Sequence, residues 1–263
     1  MPVSQGQSGQ TILRTDDGVP ISAVHVPGDP DLGIVIAHGF TGSWRQPRVQ
    51  RVMAELSRFG GVLASDFRGH GRSGGACTMG MDEIEDVTAV VSWARQLGYG
   101  RIVTVGFSLG ACVVVRQAAL RSAVAPVDAL VAVSGPAFWF YRGTPIMRGV
   151  HRLVESPAGR RAMRSRGVRI SDDGWPDPPP VSPAAAAAMI TRTPFLVVHG
   201  TVDRYFPIDH AKALHRSAAG QGNQDAELWI VPGFGHAERA IGDETLTDIG
   251  NWLRKSTGLA MSA

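Results

Sequence analysis

Ile102-Val103-Thr104-Val105-Gly106-Phe107-Ser108-Leu109-Gly110-Ala111-Cys112-Val113-Val114-Val115 holds an apolar β-branched run, a serine between glycines, and a second apolar run. β-Branched side chains suit a buried strand, and the second run continues as a buried helix. Between them, Gly106-Phe107-Ser108-Leu109-Gly110 matches GxSxG. In that pattern small neighbours let a strained strand-to-helix turn expose the serine hydroxyl. The stretch therefore predicts Ser108 as a nucleophile at the end of a central strand.

Working outward, short β-branched runs of the same kind recur at 34–37, 61–66, 129–134, 195–199 and 228–231. Ahead of them, 11–14 and 21–26 flank Asp17-Gly18, a hairpin turn signal. Counting 102–107, this predicts eight strands, the first two antiparallel. Helical patterns lie between them. Val49, Val52, Met53 and Leu56 follow Pro47 at helical spacing. A second helix starts near Met81, with Asp82 and Glu83 in its first turn, and stops at Gly98. A last one spans about 244–255. Strand and helix in alternation predict an α/β fold, a mostly parallel sheet covered by helices on both faces.

The alternation lapses between Gly135 and Thr193, where an aromatic run, many arginines, a proline-rich stretch and the tract 184–188 occur. This predicts a small cap inserted at about 136–192 in a single domain.

GxSxG occurs a second time, at Gly71-Arg72-Ser73-Gly74-Gly75, but there the flanks are loop-like and Ser73 is set aside. The same glycines make Gly69-His70-Gly71-Arg72-Ser73-Gly74 satisfy GxGxxG. A dinucleotide site needs a helix opening inside the motif to meet the pyrophosphate. Gly75 and Gly80 delay the next helix, so these glycines are expected to let backbone pass close to the catalytic loops.

A serine nucleophile needs a base. His236, in Pro232-Gly233-Phe234-Gly235-His236, lies directly after the last strand. His25 falls in the early hairpin, His70 in the glycine loop, His151 in the insertion, and His210 and His215 on an expected surface helix. The acid that orients the base is expected at Asp203, in His199-Gly200-Thr201-Val202-Asp203 after the seventh strand. The alternative position after the sixth strand offers no carboxylate until Glu155.

A net charge of +3 is too small to imply nucleic-acid binding. Two cysteines, Cys77 and Cys112, outside any CxxC or Cys/His cluster, argue against a disulfide framework or structural zinc. They leave a single bridge open. The polar N-terminus and the lack of a long apolar run predict no stable membrane insertion and a cytoplasmic protein.

The order Ser108, Asp203, His236 on this layout resembles the α/β-hydrolase superfamily from about Thr11 to the last helix. His38-Gly39-Phe40-Thr41-Gly42 closes the third strand where that family places its oxyanion loop. Asp66-Phe67-Arg68-Gly69-His70-Gly71-Arg72-Ser73 is similar to the family's DxRGHGxS loop. By that resemblance the backbone N–H groups of Phe40 and Leu109 form the oxyanion hole, His38 is structural, and Asp66 and Arg68 brace their loop. HGFTG and the RGHGxS loop further resemble bacterial carboxylesterases, including feruloyl esterases, and the serine aminopeptidase and monoacylglycerol lipase-like groups. The resemblance implies a small-molecule ester substrate and no metal or organic cofactor. The same three residues also serve thioesterases, peptidases and carbon–carbon bond hydrolases. A non-catalytic binding protein and a nicotinamide oxidoreductase are the rivals from other classes.

The expected cap overhangs the catalytic face, so Phe138, Trp139, Phe140 and Tyr141 are candidates to line an apolar pocket. Arg142, Arg148, Arg152, Arg160, Arg161, Arg164, Arg166 and Arg169 share that span with a single acidic residue, Glu155. The span reads either as a solvated helical face paired with carboxylates elsewhere or, with some of these arginines near the pocket mouth, as a preference for substrates that carry a carboxylate or phosphate.

Overall fold

The computed structural model describes residues 5–260. Eight strands form one sheet: β1 (Gly9–Arg14), β2 (Pro20–Val26), β3 (Leu32–Ala37), β4 (Gly61–Ser65), β5 (Arg101–Phe107), β6 (Ala129–Val133), β7 (Phe195–Gly200) and β8 (Ala226–Val231). Their spatial order is β1-β2-β4-β3-β5-β6-β7-β8. Only β1–β2 and β2–β4 are antiparallel. The observed strands differ from the expected ones by one or two residues at their ends: most are longer, where pairing with a neighbour extends beyond the apolar run, while β4 and β6 end one residue earlier, at Ser65 and Val133.

The sheet is buried on both faces, which is why its inner strands read as continuous apolar runs instead of alternating ones. Helices α1 (Pro47–Leu56) and α8 (Asp243–Ser256) cover one face. Their apolar stripes meet Ile34, Ile36, Val103, Val105, Val131 and Val198. Helices α2 (Glu83–Leu97), α3 (Leu109–Leu120), α6 (Pro183–Ala187) and α7 (Ile208–Ala219) cover the other. Gly98 ends α2 in the left-handed region at φ 99°, the conformation in which glycine lacks the Cβ penalty.

Between β6 and β7 the chain forms α4 (Pro145–Glu155), α5 (Pro157–Arg164) and α6. Thr144, Ser156 and Ser182 cap these helices, each side chain accepting an amide hydrogen bond from the first turn. The alanine tract is α6, and small side chains let it pack closely on α3. The rest carries a core of its own, Val154, Met163, Val168 and Ile170, against which Phe40, Met79 and Trp175 pack.

The glycine loop after β4 is tied to this insert. Cys77 and Ile170 form a parallel bridge, and Arg169 N–H donates to Gly69 O at 2.8 Å. A Cβ on Gly69 would sit 2.9 Å from the Ala76 carbonyl carbon and closer still to Arg169 O. The expected close backbone passage is thus real, but it is against the insert, because residues 169–171 run alongside the loop. Within the loop, Asp66 accepts from Ser43 Oγ (2.6 Å), Trp44 N (3.1 Å) and Arg72 N (3.0 Å). Arg68 pairs with Asp86 and Asp17. Ser73 Oγ donates to Asp66 O at 2.6 Å and accepts from Ser22 N at 2.9 Å. Cys77 and Cys112 are buried and unpaired by disulfide.

Candidate active site

Ser108 sits at the junction of β5 and α3 with φ 52° and ψ −111°, outside the regions open to ordinary L-residues. Its flanking glycines make that junction possible. A Cβ on Gly106 would lie 2.7 Å from Ala111 N, and one on Gly110 would lie 2.6 Å from the Ala37 carbonyl carbon and 2.7 Å from His38 O. Only residues without a side chain let α3 start this close to β3. Ser108 N–H donates to Val133 O at 2.9 Å, which fixes the turn to β6.

Asp203 and His236 arrive from loops after adjacent strands. Gly200 lets those loops touch, since a Cβ there would meet Gly235 O at 2.8 Å. Val202 N–H donates to Phe234 O at 3.1 Å. His236 Nδ1 lies 2.8 Å from Asp203 Oδ2, and His236 Nε2 lies 2.9 Å from Ser108 Oγ. The aspartate is 1% exposed and the histidine 12%. Burial alone would raise the Asp203 pKa; hydrogen bonding and charge interaction with His236, with the Tyr205 and Phe206 amides, hold it below the usual value. Tyr205 stacks on the imidazole at 3.9 Å and 14°.

Phe40 and Leu109 border the same cavity. The loop carrying Phe40 is held from beneath by His38, whose Nε2 accepts from Phe67 N at 3.0 Å and whose Nδ1 lies 2.8 Å from Gly39 O. Burial, with the neighbouring His70, pushes His38 down to about 3, so both bonds are made by a neutral ring.

The cavity, about 250 Å³, opens above Ser108. Phe138, Trp139, Phe140 and Tyr141 all line it, with Met79, Val154 and Trp175 among the rest of the apolar wall. His151 also borders it, with Nδ1 at 2.8 Å from Glu155 Oε1, to which Trp175 Nε1 donates at 3.0 Å. Burial alone would raise Glu155; the hydrogen bonds from His151, Arg142 and Trp175 bring it to about 2.

Of the two readings of the insert arginines, the contacts fit pairing away from the pocket. None of the eight is among the lining residues; the arginines there are Arg48 and Arg239. Several of the insert arginines are engaged elsewhere: Arg142 with Glu155, Arg160 with Asp172 at 2.8 Å, and Arg169 with Gly75 O at 3.0 Å. Asp172 lies just beyond Arg169, the last of the eight. The expected surface position of His210 fails: the residue is 3% exposed, accepts from Ala137 N at 3.0 Å and meets the Tyr141 ring at 4.4 Å. The insert covers the start of α7, which local periodicity does not reveal. Sequence reasoning also missed Tyr205, Met79, Trp175 and Glu238, none of which carries a motif.

Residues 34–246 match the alpha/beta hydrolase family, to which this chain belongs. Among solved structures, the esterase Pf2001 of Pyrococcus furiosus is 25% identical, with 95% of this chain and 91% of that one covered and a TM-score of 0.75. Est1E from Butyrivibrio proteoclasticus, solved with ferulic acid bound, shares the fold at 18% identity, 94% and 100% coverage and a TM-score of 0.63. So does XC6422 from Xanthomonas campestris, described as a serine hydrolase without lid, at 20% identity, 100% and 98% coverage and a TM-score of 0.61. A comparison with curated proteins found no match. Among the described residues, no helix is long and apolar enough to cross a membrane.

Proposed function

We propose that this hydrolase cleaves carboxylic esters through an acyl-enzyme on Ser108. The observation that carries the proposal is the continuous relay Asp203–His236–Ser108, with spacings of 2.8 and 2.9 Å, at the floor of an apolar cavity. The likeness to the Pyrococcus esterase supports the ester class.

In this cycle the neutral His236 takes the Ser108 proton through Nε2 as Oγ attacks the ester carbonyl. Asp203, kept ionised, holds the opposite ring nitrogen as donor and stabilises the imidazolium that forms. The N–H groups of Phe40 and Leu109 receive the negative charge of the tetrahedral intermediate. The imidazolium protonates the leaving alcohol, and water repeats the sequence on the acyl-enzyme. Phe138, Trp139 and Tyr141 hold the apolar part of the substrate.

The test compares Ser108→Ala with Ser73→Ala on p-nitrophenyl esters of graded length, aryl esters and an acyl-CoA, with fluorophosphonate labelling followed by peptide mapping. Ser108→Ala should lose several orders of magnitude in kcat and all labelling while keeping its circular dichroism. Ser73→Ala should keep its rate and lose stability by about 1 to 3 kcal/mol, since it leaves Ser22 N–H unpaired in the interior. A dead Ser73→Ala beside an active Ser108→Ala would reject the assignment. Preferred turnover of acyl-CoA over every ester would move the chain to the thioesterases.

A further inference from the structure

Two residues past His236 the cavity wall contains a carboxylate that the cycle above does not use. Glu238 lies in the single 3-10 turn Ala237–Arg239, and its side chain is 5% exposed. Its Oε1 accepts from Gly39 N–H at 3.2 Å and lies 3.8 Å from Arg48 Nε. The turn is itself tightly held: Ala237 sits at φ 51°, and its N–H donates to Ser134 Oγ at 3.1 Å. Gly39 is wedged between carboxylate and nucleophile, since a Cβ there would stand 3.1 Å from Glu238 Oε1 and 3.3 Å from Ser108 Cβ.

The placement is electrostatically costly. A negative charge one residue from an amide that must meet a developing oxyanion opposes that oxyanion by Coulomb repulsion. The compensating gain is geometric. With the Gly39 amide bonded to a group on the His236 loop, the His38–Gly39 peptide is tied to the base and to Ser108, and the Phe40 amide follows one residue on. Arg48 lies beside the carboxylate and offsets its charge.

Resting on the mechanism proposed above, we infer that Glu238 is the positioning residue of the oxyanion loop, strapping Gly39 and hence the Phe40 amide to the loop that carries His236. It acts as a hydrogen-bond acceptor, and its charge is a cost that Arg48 balances. This separates two roles that are usually removed together. A glutamine keeps the acceptor and drops the charge, whereas an alanine removes both.

The experiment measures kcat and KM on one p-nitrophenyl ester, and Ki for phenylboronic acid, whose tetrahedral serine adduct places an oxygen in the oxyanion hole. The enzymes are wild type, Glu238→Ala, Glu238→Gln, Arg48→Gln and the Arg48→Gln/Glu238→Gln pair. Glu238→Ala should lose about tenfold or more in kcat, less than the 10²–10³ of deleting a donor outright, with KM within about twofold. The boronate Ki should rise by a similar factor while the melting temperature stays within a few degrees. Glu238→Gln should recover most of the rate. Arg48→Gln should be slower than wild type, and adding Glu238→Gln should restore it, a non-additive cycle expected only if the two charges are coupled at the site.

Unchanged kcat and boronate affinity in Glu238→Ala would overturn the inference. So would equal losses in Glu238→Ala and Glu238→Gln, or additive effects in the Arg48 cycle. The last comparison stands even if the alanine variant does not fold. Fluorophosphonate labelling of Ser108 in wild type separates the two levels: a labelled serine with an indifferent Glu238 defeats the strap alone, and an unlabelled one defeats the mechanism as well.

Discussion

Replacing Gly110 by alanine should cripple this enzyme although alanine is the better helix former. The new methyl would stand 2.6 Å from the Ala37 carbonyl carbon and 2.7 Å from His38 O. The Ala37 carbonyl oxygen would be closer still, and carbon contacts settle at about 3.5 Å, so α3 and the end of β3 must part by roughly 1 Å or more. Neither can yield freely. Ala37 is paired with Gly106 in the sheet, and α3 is packed into two apolar clusters. Forced overpacking of this kind costs about 1 to 3 kcal/mol. That exceeds the gain of about 1 kcal/mol from helix propensity at most of this range. The net loss is therefore up to about 2 kcal/mol, and at roughly 2 to 4 °C per kcal/mol for a chain this large the melting temperature should fall by up to about 8 °C.

The rate should suffer more than the fold. The displaced segment runs directly into Gly39 and Phe40, and the other side of the gap carries Ser108 and Leu109. A misplacement near 1 Å between reacting groups costs about 10²-fold, which should register in kcat with KM little changed. Gly149→Ala is the matched control. It lies inside α4 with open space around the added methyl, and should stabilise by about 0.5 to 1 kcal/mol without altering the rate. Thermal melts followed by circular dichroism and p-nitrophenyl ester kinetics decide the matter. If Gly110→Ala melts at or above the wild-type temperature with an unchanged kcat, the close approach of α3 to β3 is not what builds the site.

Acid should unfold the protein earlier than its carboxylates alone require. Burial lowers His38 to about 3 and His210 to about 4, against 6.5 in the unfolded chain. Both rings are therefore neutral in the native state at pH 5 and protonated once unfolded. The stability they permit is complete above pH 6.5 and is lost as pH falls towards those values, by about 1.4 kcal/mol per pH unit for each ring. Potentiometric or calorimetric measurement at pH 5 should find net proton uptake on unfolding, with just under two protons contributed by these two rings and part of that offset by release from buried Asp86, raised to about 7 in the native state; no uptake would refute it. Charge reversal at Arg148, Arg161 and Arg164 should change KM for an anionic ester and its neutral homologue alike, because none of the three lines the cavity. A selective effect on the anionic ester at low salt would restore the electrostatic role for the insert.

Much of the fold is written locally. The β-branched runs in 34–37, 102–107 and 195–199 are buried on both faces, so they need no partner to be recognised as inner strands of a covered sheet. Asp17-Gly18 signals the hairpin and Gly98 the end of α2 because each answers a constraint spanning only a few residues. The GxSxG turn belongs with them. Its two glycines are demanded by a local crossing, and the strand before Ser108 distinguishes it from Ser73, whose hydroxyl is spent on bracing the glycine loop.

What chain order alone left open is everything that depends on one loop meeting another. His236 and Asp203 were candidates by their positions after two strands; that their side chains converge within hydrogen-bond distance depends on the parallel register of β7 and β8 and on the bare Gly200 between their loops. Tyr205 against the imidazole and Glu238 on Gly39 carry no signal, since neither belongs to a repeat, a period or a motif. The partners of the insert arginines were open for the same reason. A count of charge over one span of chain leaves room for pairing elsewhere but cannot name Asp172 or the backbone oxygens of another loop, because ion pairs and hydrogen bonds form across space. The sequence alone determined the sheet, the turn that lifts Ser108 and the chemistry its residue types permit, because those follow from short-range sterics and apolar burial. Tertiary packing alone decided which loops face one another, and with that the cavity wall, the buried state of His210 and the strap from Glu238 to the loop beside the nucleophile.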